Sequence, residues 1–510
     1  MSNEFGDYQT PLALAQRVIE VIKSDKIQYT HMVEPTFGDG HFIISAMKHM
    51  PSITSISGFE LQQEHFENTV TNVDPDTGVN LNLQCKDIFS GEIQSLFSSS
   101  ESNIVLGNLP WVTVSQLSAL ESKNIPKKTN IKGLRGFDAL TGKSNFDIAE
   151  YISLLLMHEL SQLGKPSTLA VLVKNIVAQN ILRYLPSSNL RPTSMAVYEF
   201  NAKKEFNVSA DAGLMVIRFG EKNSAMKDQF TADVYDLEHP ENIKSRFGWV
   251  NNKFVSNVDQ YTSSEMIDHV CDWDWRSGVK HDAGKVMELS PKSGAFTNGL
   301  GETVTLEPNL IYPLVKSSDI RKQDIHSEFR KYLLLPQNQM GQDTSYIKEK
   351  YPLTWTYLKD HLSYFANRKS SIYKNKDQFA VFGIGKYSFA KYKVAVSGMY
   401  KIPKFSILPS LAGKPVMGDD TVYFLGFSRE SDAVICAAVL NSRKVQDLLS
   451  SLVFISSKRP YTKDILKRID IVAALNELSL SELQESAYRE ISSGQLNDFL
   501  NRYQKVDSLF

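Results

Sequence analysis

A chain of 510 residues with 42% hydrophobic and 22% charged residues is long enough for two or three domains with sizeable cores, and it has the composition of an ordinary globular protein. That excludes a disordered or fibrous chain, while a formal net charge of −1 is neutral on the question of nucleic acid. Cys85, Cys271 and Cys436 lie far apart with no CxxC pair, so neither a disulfide framework nor a zinc ribbon is expected, and no metal. The start, Met1 to Pro11, lacks the apolar run of a signal peptide. No window reaches the ~20 apolar residues of a membrane span. A cytoplasmic protein with no membrane partner is the expectation.

The first 220 residues alternate between helix and strand patterns. Pro11 to Lys23 places Leu12, Leu14, Ala15, Val18, Ile19 and Ile22 at helical spacing, with Thr10-Pro11 as the start. His31 to Glu34 reads as a strand, Phe42 to Met50 as a helix, Ser55 to Glu60 as a strand and Leu61 to Val70 as a helix. Leu81 to Cys85 and Asn103 to Leu106 are further strands, Asp147 to Leu163 a long helix and Ser167 to Val173 a buried strand. Val197 to Phe200 and Ala212 to Phe219 close the series. Such alternation predicts an α/β domain over 1–220 with a parallel sheet and right-handed crossovers. Ligands of such sheets bind at the carboxyl ends of the strands.

Four polar groups fall at four successive strand ends. Glu34 opens the glycine turn Glu34-Pro35-Thr36-Phe37-Gly38-Asp39-Gly40-His41-Phe42. Glu60, Asp87 and Asn108 follow at intervals of 26, 27 and 21 residues. A glycine pair alone is explained by a tight turn, and a strand-end Glu alone by a solvated turn. The set of four is not so easily dismissed. Asn108-Leu109-Pro110-Trp111 offers an amide, backbone carbonyls and a flat aromatic face within four residues. Those groups suit an exocyclic amino group whose ring stacks.

These residues resemble the motif series of Rossmann-like S-adenosylmethionine-dependent methyltransferases. More narrowly, they resemble the N6-adenine DNA methyltransferases of type II restriction-modification systems in the gamma motif order. Tyr8-Gln9-Thr10-Pro11 is similar to motif X, Glu34 to Phe42 to motif I, Gly58-Phe59-Glu60 to motif II and Lys86-Asp87-Ile88-Phe89 to motif III. Asn108 to Trp111 resembles the catalytic Asn-Pro-Pro-aromatic motif IV, with Leu109 where the DNA enzymes usually have proline. Asn145-Phe146-Asp147, Gly164 to Val173 and Glu205-Phe206-Asn207-Val208 are placed like motifs V, VI and VIII.

The resemblance implies that Thr10, Pro11, Glu34, Pro35, Gly38, Gly40, Phe42, Glu60, Asp87, Ile88 and Asn108 hold S-adenosylmethionine, and that Asn108, Leu109, Pro110 and Trp111 form the catalytic loop. An adenine N6 lone pair is conjugated into its ring. Two acceptors, Asn108 Oδ1 and the Leu109 carbonyl, would draw both amino protons and aim the lone pair at the sulfonium methyl. The target atom is unreachable in a stacked duplex, so the base would be flipped out, with Trp111 on one face and Phe206 on the other. A core role for Phe206 is the competing reading. Double-stranded DNA, a separate restriction endonuclease, a monomer and a bacterial, nucleoid-associated setting are implied with it.

Residues 315–405 carry 17 Lys and Arg against 7 Asp and Glu, interleaved with aromatics, while 1–220 carry 18 against 22. A basic stretch of that kind suits a phosphate backbone, although a solvated surface over an aromatic core reads the same way. Residues 221–510 are expected to be a mixed α/β target-recognition domain with a helical tail, Ser479 to Tyr503, after a linker near 221–230. Ser277 to Asp282, Lys401 to Phe405 and Asp419 to Phe424 bear a looser likeness to target-recognition regions. Arg321, Lys322, Arg368, Lys369, Lys391, Lys393, Lys458 and Arg459 are the candidate DNA contacts there. Lys127, Lys128 and Lys132, in the Lys- and Gly-rich segment Lys123 to Lys143, are the candidates beside the catalytic loop. The alternatives are an RNA adenine-N6 methyltransferase, suggested by Asn-Leu-Pro, a DNA cytosine-N4 methyltransferase, and a non-catalytic specificity subunit.

Overall fold

The computed structural model describes residues 8–24, 27–74, 78–90, 92–113, 147–220, 230–320, 329–455 and 459–503. The chain divides into two compact units, Met1–Asp259 and Gln260–Phe510.

In the first unit the elements run Leu12–Lys23 (α1), His31–Glu34 (β1), His41–His49 (α2), Ser55–Glu60 (β2), Gln63–Asn72 (α3), Asn80–Cys85 (β3) and Asn103–Asn108 (β4). Then come Ile148–Gln162 (α4), Ser167–Lys174 (β5), Asn175–Tyr184 (α5), Ser194–Asn201 (β6), Ala202–Phe206 (α6) and Asp211–Phe219 (β7). Thr231–Asp236 (β8), His239–Val250 (β9) and Lys253–Val255 (β10) follow. All lie in one sheet of order β10-β9-β8-β6-β7-β5-β4-β1-β2-β3. β1 is buried along its whole length, as a central parallel strand covered on both faces must be. α1 turns Leu14, Ala15, Val18, Ile19 and Ile22 into the core and packs on α2.

Strands β1 to β5 are mutually parallel, as expected. The sheet as a whole is mixed, because β7 runs antiparallel to both β5 and β6. A parallel return from β6 needs a crossover of a dozen or more residues. Only the one-and-a-half-turn helix α6 and a short loop lie between β6 and β7, so the chain turns back as a hairpin.

The expected boundary at residue 220 moves to Asp259. β8 pairs with β6, Ala196 opposite Asp233, and presents Ala232 and Val234 inward. It covers a sheet edge that would otherwise leave a row of backbone groups unpaired. What reads as a linker is therefore internal to the first unit; residues 221–229 themselves lie outside those described.

The second unit is mixed α/β, as expected. A six-stranded sheet takes the order Thr303–Val304, Ala295–Thr297, Glu288–Lys292, Lys331–Leu334, Ile311–Val315, Met417–Gly418. A four-stranded sheet takes the order Arg276–Ser277, Val422–Phe427, Tyr392–Ser397, Ser406–Leu408. The helix Glu430–Asn441, apolar around most of its circumference, is buried behind the smaller sheet. The expected tail helix is two helices, Leu480–Ser486 and Ser493–Tyr503, the first held by a Ser479–Glu482 capping box.

Two of the expected DNA contacts are spent on this core. Lys393 lies on an inner strand, buried, with Nζ donating to the carbonyls of Ala390 (3.1 Å) and Val416 (2.9 Å). Arg368 sits 3.7 Å over the Tyr373 ring and donates to the carbonyls of Phe365, His281, Ala380 and Gln378. Both cations donate to backbone carbonyls, a task that a count of charge along the chain does not distinguish from a solvated face.

Burial pushes the Lys393 ammonium down to about 7 from an ordinary 10.5. A lysine with a lower pKa folded than unfolded penalises the fold fully below about pH 7, and the penalty fades as pH rises towards 10.5. Urea unfolding of wild type and K393M is expected to show the wild type gaining on the variant by up to about 1.4 kcal/mol per pH unit between about pH 7 and pH 10. A difference that stays constant across that window rules out a buried, titrating ammonium.

Candidate active site

The carboxyl ends of β1, β2, β3 and β4 open onto one cavity of the first unit, with about 940 Å³ of empty space including its mouth.

The turn after β1 makes the floor. Gly38 and Gly40 have φ of +51° and +69°, the left-handed region. A Cβ on Gly38 would lie 2.4 Å from Gln9 Oε1, and one on Gly40 2.4 Å from Thr69 Cγ2. Gln9 Oε1 accepts from Asp39 N at 2.9 Å, and Thr69 Oγ1 donates to the Gly38 carbonyl at 2.7 Å. At the end of β2, the Glu60 carboxylate accepts from Gly38 N and Gln62 N, both at 2.8 Å. Glu60 therefore ties the glycine turn to the neighbouring strand end while lining the cavity.

Glu34 is buried, and its Oε2 has no hydrogen-bond partner. Burial holds its carboxyl well above the usual carboxylate range; the Ile43 N–H opposes that and Glu60 reinforces it. A buried acid with an unsatisfied oxygen, lining a cavity, is a candidate ligand contact. Asp87 Oδ1 accepts from Phe89 N at 2.9 Å beside Ile88. Ile148 and Ile152 of α4 complete an apolar wall, with Phe89 against Tyr151 at 5.6 Å.

Asn108 ends β4. Its Nδ2 donates to the Tyr8 carbonyl at 2.7 Å, and its Oδ1 is buried with no partner. Leu109, at the position where the DNA enzymes it resembles usually have proline, is buried, and its N–H reaches the Leu172 carbonyl at 3.4 Å. A proline has no such donor. The loop is thus held by an extra rung to β5 and by packing, in place of a fixed φ.

Trp111, expected to stack on one face of a base, is 7% exposed and does not line the cavity. Its ring packs against Tyr8 at 5.7 Å and edge-on against Phe206 at 5.2 Å and 73°. Tyr8 and Phe206 lie 6.1 Å apart. The two rings expected to sandwich a base are adjacent, but they touch each other and leave no gap for a flat ring. Tyr8 covers the face that the sequence leaves open.

Of the expected cofactor residues, Thr10, Glu34, Pro35, Gly38, Phe42, Glu60, Asp87, Ile88 and Asn108 line the cavity. Pro110 and Leu109 line it too. Pro11 and Gly40 do not; Pro11 caps α1, with its carbonyl accepting from Leu14 N, and Gly40 shapes the turn. Sequence reasoning missed His41, whose Nδ1 meets the Thr10 carbonyl at 2.6 Å, and Lys174, which pairs with Asp147 at 2.5 Å. Asp147 caps α4 through Ala149 N. Helix-start chemistry could have flagged Asp147, but its partner comes from a strand end far along the chain.

Lys127, Lys128, Lys132, Arg321, Lys322 and Lys458, and with them Asn145 and Phe146, lie outside the described residues. Lys369 and Lys391 are exposed, and Arg459 is 3.9 Å from Asp420. Among the described residues, no group of His, Cys, Asp or Glu could hold a metal ion, and no helix is long and apolar enough to cross a membrane.

No protein-family profile matches the chain. Among solved structures, the Type IIL restriction-modification enzyme MmeI in complex with DNA aligns over 88% of this chain and 63% of its own, at 11% identity and a TM-score of 0.48. A type I restriction-modification methyltransferase subunit from Streptococcus thermophilus aligns over 46% of this chain and 48% of its own, at 14% identity and a TM-score of 0.31. A curated relative, the Type II methyltransferase M.NspV of Nostoc sp., is 35% identical over 480 residues, 92% of this chain and 96% of that protein. An identity of that order along nearly the whole of both chains means that this protein belongs to the Type II methyltransferases.

Proposed function

We propose that the first unit transfers a methyl group from S-adenosylmethionine to N6 of an adenine flipped out of duplex DNA, protecting a site from a separate restriction endonuclease. The second unit, on this reading, recognises the target sequence. The observation that carries the proposal is the Asn108 amide, whose nitrogen is taken by the Tyr8 carbonyl and whose oxygen is buried and unpaired. An amino group that donates to that oxygen removes the unsatisfied acceptor.

The cavity residues fit the donor. Glu34 Oε2 offers an unpaired acceptor to its ammonium, Glu60 and Asp87 stand where ribose and adenine would lie, and Ile88, Phe89 and Ile152 supply an apolar wall. When bound, S-adenosylmethionine supplies a methyl group on a sulfonium, which is electrophilic without help from a metal. The protein's part is position. Asn108 Oδ1 and the Leu109 carbonyl accept the two amino protons and draw the nitrogen towards a tetrahedral geometry. No strong base is required before attack, because the proton becomes acidic as the nitrogen turns cationic. Unstacking a base costs a few kcal/mol, and each aromatic face returns about 1–3 kcal/mol. Tyr8, Trp111 and Phe206 stand beside Asn108 and would have to part to admit the base.

N108A is expected to lose at least about 10²–10³ in transfer of tritiated methyl to duplex DNA while retaining S-adenosylmethionine binding in equilibrium dialysis. N108D, nearly isosteric, is expected to fail as well, because it puts an acceptor against the Tyr8 carbonyl. Wild-type turnover in N108D overturns the assignment of the amide. Nucleoside analysis of the product identifies the base. N6-methyladenine is expected, N4-methylcytosine would move the same chemistry to cytosine, and label in RNA alone would sink the DNA reading.

F206A is expected to lower kcat/KM for DNA by about 10–100-fold, the equivalent of one stacked face, with donor binding unchanged. An unaltered kcat/KM assigns Phe206 to the core alone.

A further inference from the structure

In the second unit the strand Tyr392–Ser397 leads into a loop, residues 398–405, before Ser406–Leu408 pairs back to it. At its tip Ile402 is 80% exposed, and Met399 is 39% exposed. A branched apolar side chain left in water forgoes about 1.5–3 kcal/mol of burial.

The loop around it is fixed. Gly398 N donates to the Thr421 carbonyl at 3.1 Å, and a Cβ there would lie 2.7 Å from the Tyr423 ring. The buried Tyr461 hydroxyl donates to the Lys401 carbonyl at 2.9 Å. Pro403, directly after the tip, is buried. Phe405, fully buried against Trp275, exchanges two hydrogen bonds with the Asn441 side chain, at 3.0 and 2.8 Å. Ile402 is thus held out by a backbone anchored on both sides, and its branched Cβ limits χ1.

Lysines bracket the tip, Lys401 exposed and Lys404 half-buried. Four acids line the adjoining groove: Asp447 is 3.8 Å from Arg443, Glu477 is 2.8 Å from Lys444, Glu482 accepts from Ser479 in the capping box, and Glu485 is exposed. The cores of protein–protein interfaces are broad and depleted in lysine. A lone apolar tip between two lysines has the opposite design. It matches proteins that insert an Ile, Leu or Met side chain between base pairs while cations hold the backbone.

We propose that the loop 398–405 is a DNA wedge: Ile402 enters the base stack of a duplex, and Lys401 and Lys404 hold the phosphates beside it. The inference rests on the DNA methyltransferase reading and extends it. Opening a base step costs a few kcal/mol, which the apolar contact and the phosphate contacts offset, and it softens the duplex where the protein grips it.

The test uses the full chain on unmethylated plasmid DNA, with transfer of tritiated methyl and permanganate oxidation of unstacked thymines as readouts and thermal melting as the control for folding. Wild type is expected to create permanganate-reactive thymines besides the partner of the methylated adenine, which flipping alone exposes. I402A is expected to abolish those additional thymines and to lower kcat/KM at least tenfold at an unchanged melting temperature, while I402M keeps both. K401A/K404A is expected to reduce the slope of log affinity against log salt by about 2, one for each phosphate contact. An I402A enzyme equal to wild type in transfer, or a wild type whose reactive thymines are confined to the partner of the methylated adenine, overturns the wedge and leaves the methyltransferase reading intact. A change of oligomeric state in I402D with the permanganate pattern preserved assigns the tip to a protein contact and overturns it too. Absence of transfer by the wild type to any DNA sinks the functional reading, and the wedge with it.

Discussion

The hydrogen bond from Asn108 Nδ2 to the Tyr8 carbonyl decides what the cavity can do. The two ends of an amide are nearly identical in shape and opposite in hydrogen bonding. Tying the nitrogen to an acceptor turns the oxygen into the free pole, and this oxygen is buried. An unpaired buried acceptor costs about 1–3 kcal/mol. The fold carries that cost through a relay of contacts between strand ends. Glu60 holds Gly38, the residue after Gly38 holds Gln9, and the carbonyl just before Gln9 holds Asn108. The ends of β1, β2 and β4 are joined by one set of bonds, so Asn108 is oriented by groups that also shape the cavity.

That relay explains which parts of the site were legible in the sequence. Glu34, Glu60, Asp87 and Asn108 stand out because βα units repeat at a near-constant length, and each repeat exposes its strand end on the same side of the sheet. Elements with a strong period, such as Leu12–Lys23 and Ser167–Lys174, were equally plain. Backbone partners were not. Tyr8 acts on Asn108 through its carbonyl, which any residue carries, and on Trp111 through its ring, which a loop position does not advertise. The reversal at β7 is set by the length of the preceding connection and not by the composition of the strand. β8 to β10 were hidden for a different reason. Edge strands are half polar by necessity, and His239–Val250 has its first half exposed, so it carries little apolar signal.

In the second unit the failures share one cause. Charge density along the chain is not a measure of surface charge. Lys393 and Arg368 show why the two diverge: a long cationic side chain can bring three to five donors into a core whose loops leave carbonyls unpaired. The aromatics interleaved with those cations pack over them, as Tyr373 does over Arg368. The same stretch hides its most informative residue. Ile402 looks like any core aliphatic in sequence, and only its exposure above an anchored loop sets it apart.

The three-ring cluster of Tyr8, Trp111 and Phe206 can be weighed against the base it is proposed to receive. An edge-to-face pair of side chains is worth about 0.5–1.5 kcal/mol beyond its buried area. A base stacked on an aromatic face is worth about 1–3 kcal/mol. Exchanging the first kind of contact for the second therefore gains little on its own, and flipping the base has already cost a few kcal/mol. Stacking alone cannot open the cluster by a wide margin. The remainder has to come from the Asn108 carbonyl, which gains a donor only when the ring that enters carries an amino group at the right edge. Guanine and thymine carry a carbonyl where adenine and cytosine carry that amine, and would set one acceptor against another. On this account the closed aromatic cluster is what turns a general affinity for flat rings into a demand for an exocyclic amine: discrimination comes from a resting state that stacking by itself is too weak to displace.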